Sequence, residues 1–253
     1  MSSTTEALPP VYLTAPVAQP APSGLFVTFE GGDGGGKSTQ IELLESWLTG
    51  PESPLGSPHV TVTKEPGGTE LGMRIRELIL HSDHVDDRAE ALLYAADRAH
   101  HVATTVRPAL DAGGVVIGDR YFDSSRAYQG AGRALNSDDV HALSLWATVG
   151  LEPHVTFLLD VEPSVLAERR DAASHDRLER AGTEFHEKVR AAFLDLSRED
   201  PERWIVVDAS QSIEEVHVEV TRRLTDWLRA HDHMLLPPPQ HPVEGTPAPE
   251  THL

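Results

Sequence analysis

Apolar and polar positions along the chain fall into two alternating textures. Short, nearly continuous apolar runs stand at 25–30, 59–63, 115–118, 155–160 and 204–207, most of them closed by glycine or an acid. Between them apolar residues recur every three or four positions, as at Ile41, Leu44 and Leu48. This second texture covers 38–48, 71–80, 87–110, 138–149, 184–198 and 213–229, with a further start near Glu162 and Pro163. A short run without a polar face belongs to a strand covered on both sides, and the wider spacing belongs to amphipathic helices. Their alternation predicts an α/β fold: a five-stranded parallel sheet with helices on both faces and right-handed crossovers. Trp47, Trp146, Trp204 and Trp227 fall inside these elements and are expected in the core.

Both textures stop at the ends. Residues 1–23 and 234–253 show neither period, carry no Lys or Arg, and hold eleven of the nineteen prolines. They read as disordered tails around one domain at 24–233. The 253 residues include 21 Lys+Arg against 40 Asp+Glu, a formal net charge of −19. That balance repels a nucleic-acid backbone, so no nucleic-acid polymer is expected as a partner, whereas a small phosphorylated metabolite can find a local basic pocket. Cysteine is absent, which excludes disulfides, thiolate metal sites and a cysteine nucleophile. No apolar run reaches spanning length and the N-terminus lacks the secretory pattern, so a cytoplasmic protein with no membrane partner is expected.

The strongest chemical signal is Gly31-Gly32-Asp33-Gly34-Gly35-Gly36-Lys37-Ser38, followed by Thr39. It fits G-x-x-x-x-G-K-[ST] between an expected strand and an expected helix. Glycines let successive backbone N–H groups curl round phosphates, and the helix N-terminus faces the anion. Lys37 reaches the β- and γ-phosphates and Ser38 offers a hydroxyl to Mg²⁺. The motif implies a nucleoside triphosphate with magnesium and does not by itself imply a kinase. Asp119 and Arg120 end the 115–118 strand, at the sheet edge where open α/β folds bind ligands. An acid there can orient magnesium, and an arginine can bridge two phosphates. Tyr94 and Arg98 share one helix face, a pairing that suits a nucleobase with its phosphate but that, taken alone, reads more readily as a half-buried tyrosine beside a solvated arginine. His81, Asp83, His84, Asp86 and Asp87 have generic spacing and read as a polar helix end rather than a metal site.

Several separate motifs resemble bacterial thymidylate kinases. They are the phosphate loop from Phe29 to Thr39, then Glu65-Pro66-Gly67-Gly68-Thr69, then Tyr94-Ala95-Ala96-Asp97-Arg98. The last is the long run from Asp119-Arg120-Tyr121 through Ser124-Ser125, Tyr128-Gln129 and Gly132-Arg133. The resemblance covers about 25–230 and implies a P-loop kinase fold with a short flexible lid at about 169–181. It implies ATP and Mg²⁺ as cofactors, dTMP as acceptor and a homodimer. Residue by residue it implies that Asp33 contacts the acceptor sugar and helps order the metal, and that Tyr94 stacks on thymine. Arg98 bonds the base with Ser125 and Gln129, Tyr128 lies near the sugar, and Ser124 lines the substrate. Arg76 and Arg120 hold the dTMP phosphate. Asp119, Ser38 and Glu65 serve the magnesium site, Glu65 also lying beside the substrate and ordering either magnesium-bound water or Arg76 and Arg120. Gly34 stands where relatives often carry a basic side chain, so a catalytic lid arginine is expected, with Arg170 and Arg177 as candidates. Lys64 replaces the arginine common before Glu65, losing its planar fork. A kinase for another deoxynucleotide or a deoxynucleoside, an ATP-dependent switch, and an inactive scaffold remain as rival readings.

Overall fold

The computed structural model describes residues 23–133, 135–169 and 182–231. The candidate lid with Arg170 and Arg177, and the ends read as tails, lie almost entirely outside the described residues. Five strands form one parallel sheet: β1 Leu25–Glu30, β2 Val60–Lys64, β3 Val115–Asp119, β4 Val155–Asp160 and β5 Trp204–Asp208. Their order is β2-β3-β1-β4-β5. The register pairs Phe29 with Asp119 and with Phe157, so the C-terminal ends of β1, β3 and β4 lie side by side.

Successive side chains of β1 go to opposite cores. Leu25, Val27 and Phe29 pack with Ile41, Leu44 and Leu48 of helix α1 (Lys37–Thr49) and with Val220 and Leu224 of the last helix, Ile213–Ala230. Phe26 packs on the other face with Val116, Val106, Tyr121 and Phe122. Burial on both faces explains why the strand runs show no polar alternation. Helix α2 (Glu70–His81) starts at Thr69, whose side chain accepts from the Gly72 N–H, and α3 (Asp87–His101) starts at Asp86, which caps two backbone amides. None of the helices among the described residues is long and apolar enough to cross a membrane.

Three expectations need correction. The helix expected over 87–110 breaks into a wider π turn at Val102–Val106 before α4 (Arg107–Asp111). The break precedes Pro108, whose ring clashes with the carbonyl four residues back in a regular helix. The stretch after Asp119, given no element by periodicity, forms α5 (Phe122–Ser125) and a π-helical segment at Arg126–Gly132. Trp146 is not core: on α6 (Ser137–Thr148) it is 50% exposed. The remaining helices are α7 Pro163–Arg169, α8 Thr183–Glu199 and α9 Ile213–Ala230.

Candidate active site

The phosphate loop joins β1 to α1. Its first glycine, Gly31, has φ +130°, and a Cβ there would lie 2.6 Å from the Leu159 carbonyl oxygen. No other residue lets the loop leave the sheet this close to β4. The Lys37 ammonium turns back over the loop, donating to the carbonyls of Gly32 (2.9 Å) and Gly31 (3.2 Å), with Asp33 at 3.8 Å. Burial, reinforced by Arg120, pulls the Lys37 pKa below its ordinary value, against the opposing pull of Asp33, Asp119 and Glu30. The ammonium thus sits where an anionic ligand would relieve it.

Ser38 Oγ lies 3.4 Å from Asp119 Oδ2, while Asp119 Oδ1 is buried with no hydrogen-bond partner. A buried carboxylate oxygen left over beside a hydroxyl at the mouth of the loop is a donor set that suits a hard divalent cation. Glu65 borders the same cleft. Its Oε2 accepts from Arg98 Nε at 2.8 Å and its Oε1 pairs with His101 Nδ1 at 2.9 Å. Both oxygens are engaged under the pocket floor, where Glu65 organises Arg98 and His101.

Arg120 stands between two clefts. It has φ +67°, unusual for a branchless cation outside a turn, and its backbone N–H bonds the Phe29 carbonyl at 2.9 Å. Its guanidinium donates to Asp33 Oδ1 (2.7 Å), Ser124 Oγ (3.0 Å) and the Tyr128 hydroxyl (3.3 Å), and lies over the Tyr128 ring. Burial works against its charge, but Asp33, Tyr128, Glu30 and Asp119 more than reverse that and raise its pKa well above the ordinary value. One cleft holds Gly34, Gly36, Lys37, Ser38 and Thr39, with Lys64 and Asp119. The other is lined by Tyr94, Arg98, Ser124, Ser125, Tyr128 and Gln129, with Pro66 and Leu80. Asp33, Glu65, Arg76 and Arg120 line both. Gly34, Gly35 and Gly36 also border a third cleft with Gln40, Gln211, Ser212 and Ile213, at the start of α9.

The second cleft rests on side chains. Arg98, 2% exposed, donates to Glu65, to Ser144 Oγ (3.1 Å), to Ser125 Oγ (3.1 Å) and to the Tyr121 carbonyl. His101 Nε2 meets Thr63 Oγ1 at 2.6 Å, tying the network to β2. Arg76 donates to the Pro66 carbonyl at 3.2 Å, which aims it along the shared wall. Gln129 donates from Nε2 to Glu90 at 2.8 Å. Every sequence-derived site residue that lies among the described residues is therefore gathered at the C-terminal edge of the sheet.

Sequence reasoning missed Glu30, Glu90, His101 and Ser144. Glu30 is fully buried at the end of β1 and accepts from the backbone amides of Tyr121 and Ser124 and from Ser124 Oγ at 2.6 Å. Burial pushes its pKa up to about 7, with Arg120 pulling the other way. The available signal was an acid closing an apolar run that both faces bury. His101 carried another, standing three positions beyond Arg98 on the same helix.

Residues 29–220 match the family model described as thymidylate kinase. The chain is 57% identical over 204 residues to the thymidylate kinase of Leifsonia xyli, covering 79% of this chain and 94% of that one. It is 54% identical over the same length to the thymidylate kinase of Clavibacter michiganensis, with the same coverage. The crystal structure of thymidylate kinase from Ehrlichia chaffeensis superposes with a TM-score of 0.64 at 31% identity, over 80% of this chain and 99% of that one. Fold and sequence agree, and the chain belongs to the thymidylate kinase family.

Proposed function

We propose that this site transfers the γ-phosphoryl group of ATP to dTMP, giving dTDP and ADP. The observation that carries it is Arg120, held by Asp33 on the wall common to the phosphate-loop cleft and the Arg98 pocket. A phosphate oxygen of dTMP forms the new bond to the γ-phosphorus as the bond to the β-γ bridging oxygen breaks, and the electron pair leaves with ADP. That oxygen is already anionic, so no side chain need act as nucleophile or base. Lys37 and the loop amides hold the β- and γ-phosphates, and Arg76 and Arg120 hold the acceptor phosphate against its own repulsion. The cleft beside Gln211 and Ser212 suits the donor's base.

The base pocket reads thymine through Tyr94 as a stacking surface and through Arg98, Ser125 and Gln129 as polar partners, with Tyr128 beside the sugar. Ser38 and Asp119 are the residues that would hold magnesium, which when bound neutralises the β- and γ-phosphate oxygens. The domain is assigned to 24–233, with the ends as tails, and Arg170 or Arg177 supplies a further cation from the lid. Leu71, Met73 and Leu78 on α2, Leu92 on α3 and Trp146 on α6 are exposed apolar side chains on helices beside the sheet, which supports a homodimer through that face. The proposed setting is the cytoplasm.

The test is ADP production from Mg·ATP with dTMP, dUMP, dCMP, dGMP, AMP and thymidine offered separately. Turnover with dTMP well above the other acceptors is expected. Preferred turnover of thymidine would reassign the chain to nucleoside kinases, and ATP binding without turnover of any acceptor would sink the kinase reading.

A further inference from the structure

We propose that Glu90 is a specificity-positioning residue, locking the amide of Gln129 so that its carbonyl oxygen faces the base pocket and selects pyrimidines that carry a proton on N3. The proposal rests on the reading of that pocket as the dTMP site. Glu90 lies on α3, fully buried, and accepts from Gln129 Nε2 at 2.8 Å. Gln129 is itself buried, on the π-helical segment, and lines the pocket with Arg98 and Ser125. Arg133 lies 3.7 Å from Glu90 and 3.7 Å from Asp87, so a cation accompanies the buried carboxylate.

The chemistry turns on a single rotation. A primary amide has a donating end and an accepting end of nearly equal size, and a half-turn exchanges them. Thymine and uracil present a donor at N3 and an acceptor at O4. Cytosine presents an acceptor at N3 and a donor at N4. Arg98 can only donate, so it favours O4 in any rotamer. Gln129 alone could suit either base, because turning its amide would offer N–H to the cytosine N3. In the structure Glu90 accepts from this amide, which sets the N–H₂ end toward Glu90. Turning the amide would then set carbonyl against carboxylate in a buried place, leaving two acceptors facing each other. Glu90 thus converts an ambiguous partner into an acceptor for N3–H without touching the substrate.

The test compares wild-type enzyme with Glu90→Gln, whose own amide can turn together with that of Gln129. The substrates are dTMP and 5-methyl-dCMP, which share a shape and differ in donor pattern. The wild-type preference for dTMP in kcat/KM is expected to shrink by about tenfold or more in the variant, through a gain for 5-methyl-dCMP and a loss for dTMP. Equal proportional losses for both substrates, or an unchanged ratio, would show that Glu90 only supports the fold and would overturn the proposal. A second measurement needs no variant: the N3 imino proton of dTMP bound to wild-type enzyme, observed by NMR. Protection from exchange is expected, and exchange as fast as in free dTMP would overturn the proposal even if Glu90→Gln does not fold. Wild-type enzyme that neither binds nor phosphorylates dTMP overturns the reading of the pocket itself. Normal dTMP turnover with an unaltered ratio overturns this inference alone.

Discussion

Of the two clefts that meet at Arg120, the one on the phosphate loop is built on a glycine-rich turn, and the one around Arg98 on a buried network of side chains. The first takes its shape from a run of glycines and from Lys37, a cation folded over carbonyl oxygens. The second takes its shape from a buried chain of partners: Thr63, His101, Glu65, Arg98, Ser125 and Ser144. A loop that binds phosphates through N–H groups needs little support from neighbouring elements. A pocket that reads a base must hold donors and acceptors at fixed positions, and it recruits α3, α5 and α6 to do so. Function and stability should therefore separate on the donor side and move together on the acceptor side.

The largest contrast expected is between Lys37→Met and Arg98→Met. Lys37 carries a charge that folding disfavours, as its lowered pKa shows. Removing it should cost about 10²–10³ in kcat, the loss typical of one transition-state donor, while leaving the Tm unchanged or raised. Arg98→Met strands the buried Glu65 carboxylate with His101 alone. That change should lower stability by about 3–5 kcal/mol as well as abolish dTMP binding. Thermal unfolding and steady-state kinetics on both variants check this. A destabilised Lys37→Met beside a stable Arg98→Met would reverse the contrast.

Glu30 sharpens it, because this carboxylate anchors the shared wall from below. Its pKa is raised from 4.5 to about 7 in the folded protein. Below about pH 4.5 both states hold the proton. Between there and pH 7 the unfolded chain loses it first, so stability falls as pH rises, and above pH 7 the loss is complete. Glu30→Gln has no such proton. From pH 5 to pH 8 its stability relative to wild type should improve by up to about 3 kcal/mol. Asp97, raised to about 6 by burial and by Glu65, titrates in the same direction, but it does so in both proteins and cancels in the difference. Chemical denaturation across that range is the measurement. A flat difference would mean that Glu30 is ionised throughout and holds Arg120 as an ordinary ion pair.

The same division explains what was legible in the sequence. Strands, helices and the phosphate loop could be read because their causes are local: apolar runs, period, glycines and Lys37 within a few residues of one another. The acceptor residues Arg76, Tyr94, Arg98 and Gln129 came from motifs, and their gathering at the sheet edge follows from the strand order. Glu65 could be placed beside the acceptor phosphate from its motif, but not its partners Arg98 and His101, which lie 33 and 36 residues away. Glu90 gave no local sign and Glu30 only that of an acid closing an apolar run, since an acid on a helix or at a strand end is ordinary until its burial is known. The π-helical segment at Arg126–Gly132 escaped because its register carries neither common period.

The smallest effect expected is also the most local. Gly36 and Gly68 stand on opposite sides of the comparison. Gly36 has φ +87° and open space where a Cβ would stand, so Gly36→Ala meets only backbone strain, about 1–2 kcal/mol. The new methyl borders the phosphate cleft and should raise the KM for ATP while leaving that for dTMP unchanged. At Gly68 a Cβ would fall 2.7 Å from the Lys64 carbonyl, 2.7 Å from Thr63 Oγ1 and 2.8 Å from His101 Nε2. Gly68→Ala must push His101 from Thr63, and the displacement passes through Glu65 to Arg98. A similar stability cost of about 1–3 kcal/mol is expected, but here the KM for dTMP rises and that for ATP does not. If each variant shifted both constants equally, the two clefts would be one mechanical unit, and the separation between a donor side built on a glycine-rich turn and an acceptor side built on a side-chain network would fail where it should be easiest to see.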